Sequence, residues 1–173
     1  GSLIATQIAL NIPNLIEKLI WIAGTPRFMQ HSDWPKAMAP GVFDQFTREL
    51  VDNYRATIQR FLAVQAMGSD KAREEIRQLR ESVFIDGEPH LRALQGGLSI
   101  LQDVDLRQQL RNLSCPLRII YGLHDTLVPA QEMSVFETLN TTPRLATVKG
   151  AGHAPFISHP IEFTEQLRRF IDE

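Results

Sequence analysis

Short strand-like runs separated by helical stretches constrain the fold of this chain more than any other feature. The runs cover residues 18–24, 117–122 and 144–149, and the first is apolar on both faces, which is typical of a buried parallel strand. Prolines open predicted helices at 129–139 and after residue 160. Strands that alternate with helices in this way pair in parallel through right-handed crossovers. The pattern therefore predicts an α/β fold.

A long helical stretch interrupts this alternation. Apolar residues recur every three or four positions over 43–65, which predicts one helix that ends in the break at 67–70. Ser69 is suited to cap the next helix, because acidic residues follow in its first turn. The stretch has no strand-like segment, so we expect consecutive helices between the first and the second strand.

Two further helices complete the helical stretch. A leucine stripe predicts a helix over 91–101, and Asp105 with Gln108 resembles the capping box of a short fourth helix. We therefore predict an α/β core interrupted by a four-helix insertion, here called the helical insertion. The predicted parts are core residues 1–40, the helical insertion at 41–112 and core residues 113–173.

Composition excludes several classes of protein. The 173 residues are 43% hydrophobic, which excludes an intrinsically disordered chain, and a net charge of −2 gives no general attraction to nucleic acid. No apolar run reaches the length of a membrane span. The single cysteine, Cys115, excludes an internal disulfide framework and a cysteine-based zinc site. Because the N-terminus lacks the basic start and the cleavage site of a signal peptide, we expect a cytoplasmic protein.

An acidic residue and a histidine follow the last two predicted strands. Asp125 and His153 each lie a few residues past a strand end, and neighbouring parallel strands bring such loops together. A carboxylate beside an imidazole fixes its tautomer and stabilises its charged form. Two simpler interpretations stay open: Asp125 closing an Asx turn, and His153 bonded to backbone. His124 and His159 lack a ligand spacing, so no metal site is expected.

These two loops carry a resemblance to a known family. Residues 122–129 and 152–160 resemble the acid and base loops of the α/β-hydrolase fold. The chain is most similar to the carboxylesterases that cleave pimeloyl-acyl-carrier-protein methyl ester in biotin synthesis. Further matching stretches, which extend the resemblance over essentially the whole chain, are 3–10, 60–68, 96–101 and 104–107.

The resemblance implies serine esterase chemistry without a cofactor or a metal. His153 would take the serine proton and Asp125 would orient His153. The family carries Gly-x-Ser-x-Gly-Gly just before the segment that matches Leu3, and Ser2 falls on the second of the paired glycines. We therefore expect the nucleophile upstream of Gly1, and we expect the 173 residues alone to be inactive on esters.

The resemblance also implies that the four-helix insertion forms a lid over the active site, with roles for particular residues. Phe61 and Gln65 match acyl-pocket positions, although ordinary core packing would explain Phe61 equally well. Arg60, Arg73 and Arg77 match positions that contact the acidic acyl carrier protein, and a basic helix face would steer such a partner. The simpler alternative is a solvated face with internal Glu/Arg pairs.

Two other functions and one structural hazard stay open at this stage. A general small-ester hydrolase would share the same fold and loops, and a non-catalytic α/β-hydrolase-like binding protein would need no serine. The strand at 18–24 would expose an unpaired apolar edge, which predicts self-association or swapping of the fragment. We expect neither nucleic acid nor membrane as a partner.

Overall fold

The computed structural model describes residues 1–85, 87–128 and 143–172. Strands and helices alternate at both ends of the chain, and four longer helices lie between the first and the second strand. The predicted helix at 129–139 lies outside the described residues. In chain order, the elements are α1 (Ser2–Asn11), β1 (Leu19–Ile22), α2 (Pro40–Asp52), α3 (Tyr54–Gln65), α4 (Ala72–Val83), α5 (Leu91–Asp103), β2 (Leu117–Gly122), β3 (Arg144–Val148), α6 (Pro155–Ser158) and α7 (Pro160–Ile171), with 3₁₀ turns at Pro13–Leu15 and Gln109–Asn112.

The three described strands form one parallel sheet in the order β1-β2-β3. Trp21 pairs with Ile119 across the first ladder, and Ile120 pairs with Ala146 across the second. Every residue of the central strand β2 is buried, including Arg118, as expected of a parallel strand that is covered on both faces. The carboxyl ends of β2 and β3 therefore lie side by side, where ligands bind in sheets of this kind.

Side chains of β2 alternate between two cores, one on each face of the sheet. Ile119 and Tyr121 pack with Trp21 in the core beneath α1, and Ile120 packs with Phe163 of α7 on the other face. The buried Trp21 indole donates a 2.9 Å hydrogen bond to the hydroxyl of Thr6 on α1. These two layers fix the helix and strand ends around which the acid and base loops are built.

The helical insertion has a third core of its own, and its first helix ends earlier than the sequence indicates. The prediction of one helix over 43–65 is wrong, because the backbone of Asn53 is not helical (φ −149°, ψ 80°) and separates α2 from α3. The Asn53 side chain accepts a hydrogen bond from the Ala56 amide and so caps α3. The Thr57 hydroxyl donates to the Glu49 carbonyl oxygen at 2.9 Å and ties the two helices together.

Two other helix ends differ from the predictions. The N-cap of α4 is Lys71 rather than Ser69, whose hydroxyl instead accepts a hydrogen bond from the Lys71 amide. The predicted fourth helix after Asp105 is a single 3₁₀ turn at Gln109–Asn112. Asp105 does not cap it, because Arg107 and Arg27 occupy the Asp105 carboxylate. A search of the described ranges finds no helix long and apolar enough to cross a membrane.

Candidate active site

Asp125 closes the loop that follows β2 and is held from both sides. Its Oδ1 atom accepts hydrogen bonds from the amides of Leu127 and Val128, each at 2.9 Å. The side chain has no exposed surface. This is an Asx-type turn, as one interpretation of the sequence predicted, but it uses only one of the two carboxylate oxygens. The second oxygen is left for another partner.

His153, in the loop after β3, is that partner. Its Nδ1 atom lies 2.9 Å from Oδ2 of Asp125. Because an ionised carboxylate only accepts hydrogen bonds, Nδ1 carries the proton, and Nε2 of the neutral ring is free to accept one. The imidazole is 20% exposed, whereas the carboxylate is fully buried. The structure thus brings the two residues together in the geometry of a base held by an acid.

The acid and base loops approach each other closely at Gly122. A Cβ atom there would lie 1.9 Å from the carbonyl oxygen of Gly152 and 2.5 Å from that of Ala151. Only glycine permits this approach of two backbones. The His124 amide also donates a 2.9 Å hydrogen bond to the Ala151 carbonyl oxygen. Backbone contacts therefore set the spacing that places Asp125 beside His153.

The helical insertion touches both loops through the segment between α3 and α4. The His153 amide donates to the Gln65 carbonyl oxygen at 3.0 Å, and the Asp70 amide donates to the Gly150 carbonyl oxygen at the same distance. Nδ1 of His124 lies 2.8 Å from the Gly68 carbonyl oxygen. The base loop is consequently held by the insertion as well as by the sheet.

A cavity of about 420 Å³ opens beside the imidazole. His153 lines it together with the start of α1, including Ser2, and with Leu94 and Gly97 of α5. Ala23, directly after β1, also lines it and has a φ of 47°, in the left-handed region that costs energy for any residue with a Cβ. The hydroxyl of Ser2 donates to the Thr25 carbonyl oxygen at 3.5 Å rather than to His153.

A second cavity, of about 240 Å³, lies inside the helical insertion and is largely apolar. Phe61 lines it, whereas Gln65 lines neither cavity and meets the site through its carbonyl group. Arg60 stands at this cavity and forms an ion pair with Glu49, Nη2 to Oε2 2.6 Å. Phe28 lines both cavities, so the apolar space adjoins the space beside His153.

The arginines of the helical insertion differ in their surroundings. Arg77 is bound by Glu74 at 2.6 Å and by Glu81 at 2.7 Å, and its side chain is still 58% exposed. Arg73 is exposed and forms no ion pair with the described residues. Internal Glu/Arg pairing, the simpler interpretation, therefore applies to Arg60 and Arg77 but not to Arg73.

Sequence reasoning missed one chemically important residue, Glu75 of α4. Its side chain is 1% exposed. Burial, the largest cause, raises the pKa of this carboxyl. A signal was present, because Glu75 stands three residues after Ala72 and four before Leu79, which places an acid on one helix face with apolar residues. Among the described residues, no cluster of three or more His, Cys, Asp or Glu side chains could hold a metal.

A parallel sheet with a carboxylate–imidazole pair at the carboxyl ends of its strands defines the class of α/β hydrolases. The chain belongs to the α/β hydrolase fold family, whose sequence model matches residues 1–160. The fold class predicted from the sequence is thereby confirmed.

Curated relatives narrow the similarity within this family. The chain is 43% identical over 171 residues to a pimeloyl-[acyl-carrier protein] methyl ester esterase of Aeromonas salmonicida, and 44% identical to one of Xanthomonas oryzae pv. oryzae. Each alignment covers 99% of this chain and 67% of the relative. The chain thus spans about two thirds of the length of these relatives.

Solved structures agree on the fold. An esterase from Exiguobacterium antarcticum superimposes with a TM-score of 0.84 at 20% identity, over 100% of this chain and 64% of that one. A bromoperoxidase from Bacillus anthracis gives a TM-score of 0.82 at 20% identity, over 98% of this chain and 63% of that one. At this identity the likeness concerns the fold alone.

Proposed function

We propose that this chain is part of a carboxylesterase that hydrolyses the methyl ester of pimeloyl-acyl carrier protein in biotin synthesis. The observation that carries the proposal is the 2.9 Å contact between His153 and the buried Asp125, in a chain 43% identical to esterases of that name. The Asp125–His153 pair provides the general base of the reaction, and the names of the relatives indicate the proposed substrate. A cytoplasmic location stays a prediction of the same proposal.

The proposed reaction is acyl transfer in two steps. Nε2 of His153 takes the proton of a serine hydroxyl as that oxygen attacks the ester carbonyl, and the resulting imidazolium gives the proton to the departing methoxide, which leaves as methanol. Water, deprotonated by His153, then hydrolyses the acyl-serine and releases the free acid. Asp125 stays ionised throughout and stabilises the imidazolium.

The nucleophilic serine of this proposal lies upstream of Ser2. Gly1 and Ser2 line the cavity beside His153, so a residue shortly before α1 would reach the imidazole. Residues 1–4 at the start of α1 line that cavity, and the free amides of a helix N-terminus favour a developing negative charge such as that on the ester oxygen. Ser2 itself is turned to the Thr25 carbonyl oxygen.

The helical insertion provides the proposed acyl pocket and carrier surface. The cavity lined by Phe61 is largely apolar and, at about 240 Å³, smaller than a drug-sized ligand pocket, which suits a short methylene chain. Arg73, exposed and without an ion pair among the described residues, is the arginine most available to an acidic carrier protein. Arg60 and Arg77 would have to exchange glutamate partners for carrier carboxylates or phosphate.

Kinetics of the intact gene product test the proposal with two substrates, pimeloyl-acyl carrier protein methyl ester and p-nitrophenyl butyrate. His153→Ala is expected to abolish turnover of both. Arg73→Glu should raise KM several-fold for the carrier substrate only, with a steep salt dependence, and the matched control Arg168→Glu on α7 should not. Activity that survives His153→Ala would refute the proposed mechanism. Equal turnover with and without the carrier would favour a general small-ester hydrolase.

A further inference from the structure

Glu75 is a buried carboxylate without a well-formed partner. Its side chain is 1% exposed, and neither carboxylate oxygen makes a hydrogen bond of ordinary geometry with the described residues. Burying a charge is strongly unfavourable unless another group compensates it, and unpaired buried polar groups are rare in folded proteins. An ionised carboxylate at this position is therefore stabilised by any positive charge that develops beside it.

The surroundings of Glu75 place it next to the base loop. Helix α4 packs against α6, which begins two residues after His153. The Ala154 amide and the Ser69 hydroxyl lie near the carboxylate and lower its pKa, although burial, which raises it, is the larger effect. His153 and Asp125 both act on Glu75 through space, the first favouring its charged form and the second opposing it.

The other titratable groups at this junction have partners of their own. His159 is buried and pairs with Asp70, Nε2 to Oδ1 3.2 Å. His124 is turned to the Gly68 carbonyl oxygen at 2.8 Å. On α4 itself, Glu74 is bound by Arg77. Among the described groups at this junction, His153 is the one that the proposed reaction itself converts to a cation.

We propose that Glu75 is a positioning residue for the acyl-transfer site, whose buried carboxylate stabilises the imidazolium that His153 becomes on taking the serine proton. The inference rests on the proposed function, because only that reaction puts a proton on Nε2. Glu75 takes no part in proton transfer or bond formation. It supplies a second negative charge beside the one on Asp125.

The physical reason is differential stabilisation. While His153 is neutral, the carboxylate of Glu75 is buried without a matching charge. When His153 is protonated in the transition state, that carboxylate gains a cation in a poorly screened environment. An interaction that strengthens only as charge develops lowers the barrier rather than merely improving substrate binding.

The test is the pH dependence of kcat/KM for p-nitrophenyl butyrate in the intact gene product. Glu75→Gln keeps the shape and removes the charge, so the midpoint of the acidic limb should fall by about 0.5–1 pH unit and the plateau by roughly 3–10-fold. Glu74→Gln removes the neighbouring exposed carboxylate and should overlay the wild type. Glu75→Asp, which retains the charge, should keep the wild-type midpoint.

A second charge-removing variant and a stability measurement separate this role from packing. Glu75→Met fills a similar volume without charge and should show the same shift, and urea unfolding should find neither variant less stable than wild type. An unchanged midpoint in Glu75→Gln and Glu75→Met would overturn the inference, as would lost stability with an unmoved midpoint. If His153→Ala keeps its activity, the proposed function fails instead, which is a distinct result.

Discussion

Replacing Gly122 with alanine tests how the acid and base loops are held together. An alanine Cβ at the end of β2 would lie 1.9 Å from the Gly152 carbonyl oxygen and 2.5 Å from that of Ala151. Both obstacles are backbone atoms, which cannot rotate away as a side chain can. The base loop would have to retreat by about 1 Å or more to restore an acceptable contact.

The magnitude follows from what that retreat disrupts. Forcing extra volume into a well-packed region costs about 1–3 kcal/mol. Loss of the 2.9 Å hydrogen bond from the His124 amide to the Ala151 carbonyl oxygen costs a further ~0.5–1.5 kcal/mol. We expect the free energy of unfolding to fall by about 2–4 kcal/mol in total. Because His153 lies in the displaced loop, a shift of this size should lower kcat by roughly 10²-fold.

Two measurements on the intact gene product check this expectation, urea unfolding followed by circular dichroism and hydrolysis of p-nitrophenyl butyrate. Gly96→Ala is the matched control, because no heavy atom lies within 4 Å of the Cβ position at Gly96 in α5. It should be neutral or stabilising by about 0.5–1 kcal/mol, since alanine favours a helix interior. A Gly122→Ala variant as stable and as active as the wild type would refute the account of the loop spacing.

Three further changes probe the site and the fold. Asp125→Asn turns an amide NH₂ toward Nδ1 of His153 and should lower kcat for ester hydrolysis by about 10³–10⁴-fold. A loss of less than about 10-fold would contradict the role of Asp125 in orienting His153. Hydrogen bonds from Arg107 hold the pKa of Asp105 at about 2 in the folded protein, whereas an unfolded aspartate has a pKa of about 3.9. The ionised Asp105 therefore stabilises the fold fully above pH ~4, and this contribution is lost as the pH falls toward 2. Asp105→Asn should therefore destabilise by about 1–2 kcal/mol at pH 7 and progressively less below pH ~4 in urea titrations, and a difference that does not shrink there would contradict this. Cys115 is buried, and burial raises the pKa of its thiol, so Ellman's reagent at pH 8 should label Cys115 only after unfolding. Rapid labelling of the native protein would contradict the burial of this thiol.

The strands and the relation of Asp125 to His153 were predictable because both depend on local signals. The apolar run of β2 and the strand at its side set the order of the loops, and parallel pairing places successive loops at one edge of the sheet. Residue type and chain order then suffice to bring an acid beside a base. The 2.9 Å distance between Nδ1 of His153 and Oδ2 of Asp125 agrees with this prediction.

Helix ends were harder to predict, because the same apolar period continues through them. Asn53 separates α2 from α3 without a glycine or a proline, and Phe46 and Phe61 on either side still meet, with ring centroids 5.2 Å apart. A shared core face thus imitates one continuous helix in the sequence. The capping box at Asp105 failed for a different reason, because Arg27 lies 78 positions away and still occupies the carboxylate.

The backbone hydrogen bonds between the helical insertion and the two loops leave no mark in the sequence. Every residue has a carbonyl oxygen, so nothing in the chain indicates that Gln65 would bind the His153 amide or that Gly68 would face His124. The resemblance implies a pocket role for the Gln65 side chain, which stays a prediction, and the structure adds a contact between the Gln65 carbonyl oxygen and the base loop. Glu75 was detectable in principle, because an acid on an apolar stripe is a local conflict.

Some of the contacts that position the candidate site also join the helical insertion to the sheet. At one junction the Asp70 and His153 amides bind carbonyl oxygens across the boundary. At the other, Arg27 pairs with Asp105 at 2.8 Å. Each such bond contributes about 1 kcal/mol to the free energy of unfolding. Separating the helical insertion from the sheet would therefore lower that free energy by several kcal/mol and would also release the base loop. Stability and site geometry therefore depend on the same few interactions, and a change at this boundary is expected to affect both.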